Sequence, residues 1–469
     1  MTAARDVLRE RLRLGALAEL RVGEFAAEVE RHELPAFADR AAGAGLRLAT
    51  LFATDEGSAR GYAVHHVWAA REPPGFVRIW ARVAEPRFPS VSAKHPVANW
   101  FEREVMDYFG LVPEGHPNLF PVALHEDWPE GVWAMRKGFA DDQSVPRAPG
   151  NLHPFRPVTG EGVFHVPVGP VHAGVIEPGH FRFGVAGEPV LYLQLRLFYV
   201  HKGIEKRFEK LPWRHGLFLA ESISGDTAVG HALAYAHAIE RLLGLEVPPR
   251  ARYLRTVLLE MERLYNHVAD IGAIATDGAF TVPASGAQIL REGLVALQER
   301  LLGSRLLRGT VALGGVKCEL TRGRRRELGA HLERFQREFD DLVTLLIDSG
   351  TFTDRIDATG ILGAQAAHDL GVVGMAARAS GLDLDLRRDQ PHDAYADLRF
   401  RVPVEAGGDV RARLMVRARE VEQSLSILRQ ALEALPEGPV LAPLPDTLPA
   451  TSSALGWAEG WRGECLHWI

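Results

Sequence analysis

Two apolar seams constrain this chain more than any other feature. In residues 324–347, Leu328, Leu332, Phe335, Phe339, Leu342 and Leu346 recur at alternating steps of four and three. Residues 409–435 repeat the pattern with Leu414, Ala418, Val421, Leu425, Leu428, Leu432 and Leu435. That alternation lines one stripe of an α-helix and is incompatible with the period of a strand. Such a stripe is stable only when buried against another helix. Two further helices are expected between residues 226 and 272. One spans 226–243 and stops at Gly244. The other opens at Pro248-Pro249 and carries Leu254, Val257, Met261, Leu264, Val268 and Ile271. The second part of the chain therefore reads as a helix bundle.

β structure is expected ahead of it. LRLATLFAT (46–54), GYAVHHVWAA (61–70) and GFVRIWARVA (75–84) are short apolar runs bounded by turn residues and read as strands. LPAFADRAAGAG (34–45) and HPVANWFEREVMDYFGL (95–111) read as helices. HFRFGV (180–185) and VLYLQLRLFY (190–199) form a hairpin. Its second strand sets Leu191, Leu193, Leu195 and Leu197 on one apolar face. Residues 140–163 are rich in proline and glycine without apolar period, a linker. The expected fold is α+β: a small α/β domain over 1–139, the linker 140–163, and a mainly helical domain over 164–469 with a small antiparallel sheet at its N-terminal edge.

Of the 469 residues, 46% are hydrophobic and 24% charged, with net charge −6. No block of like charge suits nucleic acid. Arg322 to Arg326 opens a helix and reads as a solvated start. The cysteines Cys318 and Cys465 form no Cys-x-x-Cys pair, which excludes a disulfide framework or a cysteine zinc site and favours a reducing compartment. MTAARDVLRERLRL lacks the apolar core of a signal peptide, and no run of 18 apolar residues spans a bilayer. Attachment to a membrane would come through partner subunits. Nothing matches a glycine-rich dinucleotide loop.

Three stretches carry candidate chemistry. In FEREVMDYFGLVPEGHPNLFPVALHEDWPEG (101–131), Glu102, Arg103 and Asp107 read as surface pairs and Gly-His-Pro as a turn. In VGPVHAGVIEPGHFRFGV (168–185), His172, Glu177 and His180 suit metal binding or proton relay; equally, they are hydrogen-bonding loop residues between Gly-Pro and Pro-Gly turns. In AESISGDTAVGHALAYAHAIERLLG (220–244), Ser224, Asp226 and Thr227 crowd a helix start. There a cap contributes about 1 kcal/mol, and the N-terminus favours anions or polar ligand oxygens.

The first stretch resembles the signature of the C-type component of complex I, through Glu102, Arg103, Glu104, Asp107, Phe109, Gly110, Gly115, His116, Pro117, Leu119, Asp127 and Trp128. The resemblance implies a region that packs against neighbouring subunits and does no chemistry. The rest resembles the family that contains the D-type component of complex I and the large subunits of energy-converting (group 4) nickel–iron hydrogenases. Its marks are Gly169-Pro170, His172, Glu177 to Arg182, His201, Gly203, Glu205, Lys206, and the segments 240–272, 313–320, 371–395 and 459–469. The chain thus resembles a complex I C/D-like fusion.

In nickel–iron hydrogenases a Cys-x-x-Cys sits at the head of the helix read here as 226–243. Aligned on Glu240 to Gly244, those cysteines fall on Ser224 and Thr227, and alcohols do not replace bridging thiolates. No second pair accompanies Cys465. The family continues beyond the Arg-Gly-Glu segment, which allows a truncated chain. The resemblance implies a branch without a nickel–iron centre, and no cofactor held by this chain itself.

The D-type component of complex I binds a quinone headgroup in the corresponding cavity. Its tyrosine falls on Gly225, its loop histidine inexactly on His180, and the paired aspartate on Asp277. The implied site takes His180 and Asp277 as proton-handling groups and His172, Glu177, Ser224, Asp226 and Thr227 as its lining. The implied function is a core subunit of a complex I-like or hydrogenase-related membrane oxidoreductase, placed on the cytoplasmic, inner face of the membrane. It takes electrons from an iron–sulfur small subunit, similar to the B-type component of complex I. It couples reduction of a quinone-like acceptor to ion movement in antiporter-like subunits. The alternative is a non-catalytic assembly subunit with a vestigial site. A working nickel–iron hydrogenase is disfavoured for want of thiolates.

Overall fold

The computed structural model describes residues 2–140, 142–148, 153, 155–172 and 177–469. It is mixed α and β, as expected, and divides into two compact units, Met1–Lys210 and Leu211–Ile469.

The first unit is built on five strands: β1 (Ala18–Arg21), β2 (Glu24–Glu28), β3 (Arg47–Asp55), β4 (Tyr62–Ala70) and β5 (Gly75–Val83). Their order is β1-β2-β5-β4-β3, antiparallel except for the β2–β5 pair. Strands β3 to β5 are the three apolar runs. Helices α1 (Leu34–Gly43) and α2 (Ala98–Phe109) add Phe37, Ala41, Val105 and Phe109 to a core shared with Val64, Trp68, Val77 and Ile79.

The polar residues of α2 are not the surface pairs expected. Glu102 is buried and accepts from Ser90 Oγ (2.6 Å), Val91 N (2.7 Å) and Ser92 Oγ. Asp107 accepts from the backbone N–H groups of Val122, Ala123 and Leu124 at 2.8, 2.9 and 3.2 Å. Arg103 donates to the carbonyls of Phe120 (2.6 Å) and Pro121 (3.1 Å). These side chains clamp a loop that has no ladder of its own to satisfy its backbone.

A three-stranded antiparallel sheet follows, β6 (Val163–Val168), β7 (His180–Ala186) and β8 (Val190–Arg196), in the order β8-β7-β6. The hairpin is as read, but Leu191, Leu193 and Leu195 are exposed. The buried member of β8 is Arg196, which meets Glu126 at 3.1 Å and the Pro121 carbonyl at 3.1 Å. Such polar ties place the sheet in the first unit.

The second unit contains α3 (Ala228–Leu243), α4 (Pro249–Asp277), α5 (Thr281–Leu302), α6 (Arg322–Ile347) and α7 (Val410–Glu433). Helix α4 is central and packs on α5 and α7. All six seam residues of α6 are buried, as are Leu414, Ala418, Val421, Leu425 and Leu428 of α7. Gly244 ends α3 at φ +61°, as its position required. A terminal hairpin, β9 (Leu455–Glu459) and β10 (Glu464–Trp468), lies on α3. The approach depends on Gly456, where a Cβ would sit 2.1 Å from the Ala234 carbonyl oxygen. Among the described residues, no helix is long and apolar enough to cross a membrane.

Candidate functional site

The head of α3 is the best-defined polar site among the predicted residues. The helix begins at Ala228, and Thr227, its N-cap residue, makes no side-chain cap. The expected capping by Ser224, Asp226 and Thr227 is therefore not what the structure shows. Asp226 Oδ1 instead accepts from Ser224 Oγ (2.6 Å) and Thr227 Oγ1 (2.9 Å), while Oδ2 accepts from Arg462 (2.7 Å). The Asp226 carbonyl accepts from Asn266 Nδ2 (2.8 Å) and Trp461 Nε1 (3.1 Å). The cap comes from α4: buried Glu262 accepts from Val229 N (2.7 Å) and Gly230 N (3.0 Å). A neighbouring helix satisfies the orphan N–H groups, leaving the local oxygens free to bond one another.

These two carboxyls differ in proton affinity. Burial alone would raise Asp226, but the Ser224 hydroxyl, Arg462 and the Thr227 hydroxyl hold it below the usual carboxylate value. Burial pushes Glu262 up to about 8, outweighing its two backbone N–H donors, and Asp226 adds to the rise. Environments that separate neighbouring carboxyls in this way set up a proton donor beside an acceptor. Cys465 completes the region. A Cβ on Gly230 would lie 3.6 Å from its sulfur and 2.9 Å from the Thr227 methyl. Burial raises the Cys465 thiol, and Glu262 and Glu459 reinforce this. The donors gathered here are two alcohols, two carboxyls and one thiol.

Behind the site lies a buried ionic network. Arg378 meets Glu420 (2.7 Å) and Glu459 (3.0 Å), Arg387 meets Asp385 (2.6 Å) and Glu260 (3.1 Å), and Arg263 meets Glu420 (3.5 Å) and the Glu459 carbonyl (2.6 Å). His267 on α4 joins through Glu420 at 2.7 Å. Buried charges of this kind are tolerated when paired, and they tie α4, α7 and β9 into one register.

The other predicted residues fall in both units. His180 opens β7, with Nδ1 3.4 Å from the Gly169 carbonyl. His172 lies edge-on to Phe181 at 5.3 Å, and Glu177 is exposed. Beside them, Gly179 N donates to the Pro170 carbonyl (2.9 Å), and a Cβ on Gly169 (φ +85°) would strike the Gly179 carbonyl oxygen at 2.2 Å. Asp277, in the second unit, is the exposed last residue of α4. Glu262, Asn266 and Arg462 were not singled out from sequence. The spacing of Glu262 and Asn266 by four places them on one face of α4, and that was the available signal.

The chain thus combines an α/β unit carrying a small antiparallel sheet with a unit of packed helices, one of them headed by a polar site. The chain belongs to the family that unites the C/D fusion proteins of NADH-quinone oxidoreductase with the large subunits of energy-converting, hydrogenase-related complexes. Residues 276–456 match the model of the respiratory-chain NADH dehydrogenase 49 Kd subunit, and residues 27–145 that of the 30 Kd subunit. The chain is 34% identical to formate hydrogenlyase subunit 5 of Escherichia coli, over 90% of this chain and 75% of that protein. It is 30% identical to the C/D fusion protein of NADH-quinone oxidoreductase from Bacteroides thetaiotaomicron, over 81% and 75%. Among solved structures, it is similar to a chain of the archaeal membrane-bound sulfane sulfur reductase. The TM-score is 0.62 at 27% identity, covering 66% of this chain and 85% of that one.

Proposed function

We propose that this chain is the core subunit of a membrane-associated, complex I-like oxidoreductase that works without a nickel–iron centre. An iron–sulfur small subunit delivers electrons, a quinone-like acceptor is reduced, and antiporter-like membrane subunits move an ion in response. The chain lies peripherally on the inner face of the membrane, and its exposed leucines on β8 suit coverage by a partner. The observation that carries this reading is the Asp226–Glu262 pair, set beside the Ser224 and Thr227 hydroxyls that align with the hydrogenase cysteines. At neutral pH Glu262 holds a proton beside ionised Asp226, and acceptor reduction consumes protons. Arg462 and the two hydroxyls fix the acidic partner, a positioning that lowers the cost of transfer. His180 and Asp277 remain the second proton-handling candidates of this reading.

A non-catalytic assembly role is favoured by one feature. Thr227, Cys465, Gly230 and Gly460 pack closely beside the site, leaving little space there. Affinity purification from the native membrane, with metal and iron–sulfur analysis, separates the two. Iron–sulfur clusters without nickel, together with antiporter-like subunits, are the expected result. One nickel per chain would overturn the first reading, and a chain recovered without redox partners would favour the second.

A further inference from the structure

A second polar cluster, outside the head of α3, lines a cleft of about 290 Å³ in the second unit, bordered by Arg241, Leu245, Val247 and Trp457. His237 on α3 places Nε2 3.0 Å from Asp393 Oδ2. His392 places Nδ1 2.9 Å from the same oxygen. The three ligand atoms all lie within 4.8 Å of one another. We propose that His237 Nε2, His392 Nδ1 and Asp393 Oδ2 bind a divalent cation of the zinc class, with its open coordination position facing the cleft.

The tautomer of His237 argues for a cation. His237 Nδ1 lies 2.8 Å from the Trp457 carbonyl, which it can meet only as an N–H donor. In the neutral ring Nε2 then carries a lone pair aimed at a carboxylate oxygen. Two acceptors at 3.0 Å repel, so a proton or a metal ion belongs between them. The outer hydrogen bond to a carbonyl is also the arrangement that orients metal-ligating histidines.

The carboxylate is oriented as well. Asp393 Oδ1 faces Arg255 at 3.7 Å, and Arg255 is itself held by Glu240 and by the carbonyls of Ala312 and Gly315. The Asp393 carbonyl accepts from Arg252 Nε (2.9 Å). Asp393 has φ +47°, a conformation that costs energy in a non-glycine residue and persists where its surroundings impose it.

Two imidazoles and a carboxylate suit zinc, whose bonds of about 2.0–2.2 Å set tetrahedral ligand atoms roughly 3.3 Å apart. Small outward shifts of the two histidine–aspartate contacts, now 3.0 and 2.9 Å, accommodate the ion. The nearby arginines do not forbid it, because Arg255 is paired with Glu240, and Arg252 with Asp397 at 3.5 Å. Metal at His392 Nδ1 displaces the long contact from Glu459 N to Nε2, 3.4 Å.

The test is a Co²⁺ titration of the purified full chain, followed by visible absorbance. A 1:1 complex with the strong bands of four-coordination, bleached by Zn²⁺, is expected. His237→Ala and His392→Ala should each weaken binding by about tenfold or more. Should either misfold, the rise in Tm with Zn²⁺, present in the wild type and absent in His237→Asn, reads the same site. No absorbance up to millimolar Co²⁺, or equal binding by the wild type and the His237→Ala/His392→Ala double variant, would overturn the site and leave a protonated His237 in its place.

Discussion

Glu459 shows at the scale of one residue how burial sets a protonation state. Its carboxyl meets Arg378 (3.0 Å) and Leu386 N (3.1 Å), yet burial, with Asp385 alongside, pushes it up to about 7 from an ordinary 4.5. The folded state thus holds a proton that the unfolded chain gives up at lower pH. The stabilisation is complete below about pH 4.5 and declines as pH rises toward 7, where the folded carboxyl also ionises. Glu459→Gln removes the titration. Its unfolding free energy should lose the part of the pH slope between 4.5 and 7 that the wild type shows, at a constant cost of about 1–3 kcal/mol for an imperfect acceptor. Denaturant unfolding at a series of pH values checks this, and an unchanged slope would assign the titration to another group. The same scale limits what sequence can tell. Ser224, Asp226 and Thr227 were legible as a polar cluster. The group that caps their helix, Glu262, is brought from a different helix, and no local rule reports it.

Helices with a strict seam were the most legible elements, because the period itself specifies the buried face. Every seam residue of α6 is buried, and α7 departs only at half-buried Leu432. Strands β1 and β2 have no apolar run to mark them, because AELR and EFAAE are short and each carries two charged residues. The alternation in β8 was visible, but which face would be covered was not. Period two specifies two faces and leaves open which one is buried. The α2 side chains misled for a related reason: charged residues at helical spacing look the same whether they pair in solvent or clamp a buried loop. Phe335 on α6 tests the seam. Phe335→Ala should destabilise the helix by about 3–5 kcal/mol, whereas exposed Glu333→Ala should stay within about 0.5 kcal/mol. Hydrogen exchange of the α6 amides reads both, and equal protection in the two variants would mean that the seam is not what holds α6.

For the molecule as a whole, composition marked the proline-rich stretch 140–163 as the boundary, whereas the compact units part after Lys210. The difference lies in polar ties that recross the linker within the first unit. Glu126 holds both His153 (2.7 Å) and Arg196 (3.1 Å). Lys206 donates to the Arg136 carbonyl (3.0 Å), and Tyr108 meets His201 at 3.2 Å. None of these pairings has a local sequence signature, since each joins residues 27 or more positions apart. A fragment ending at residue 139 therefore leaves Glu126 without His153 and Arg196 and the Arg136 carbonyl without Lys206. A fragment of residues 1–210 keeps them all. Loss of such partly buried pairs costs a few kcal/mol, so the shorter fragment should melt about 5–15 °C below the longer one. Circular dichroism melts of the two fragments at equal concentration measure this. Equal midpoints would return the boundary to the linker and make the sheet of β6, β7 and β8 dispensable to the first unit's stability.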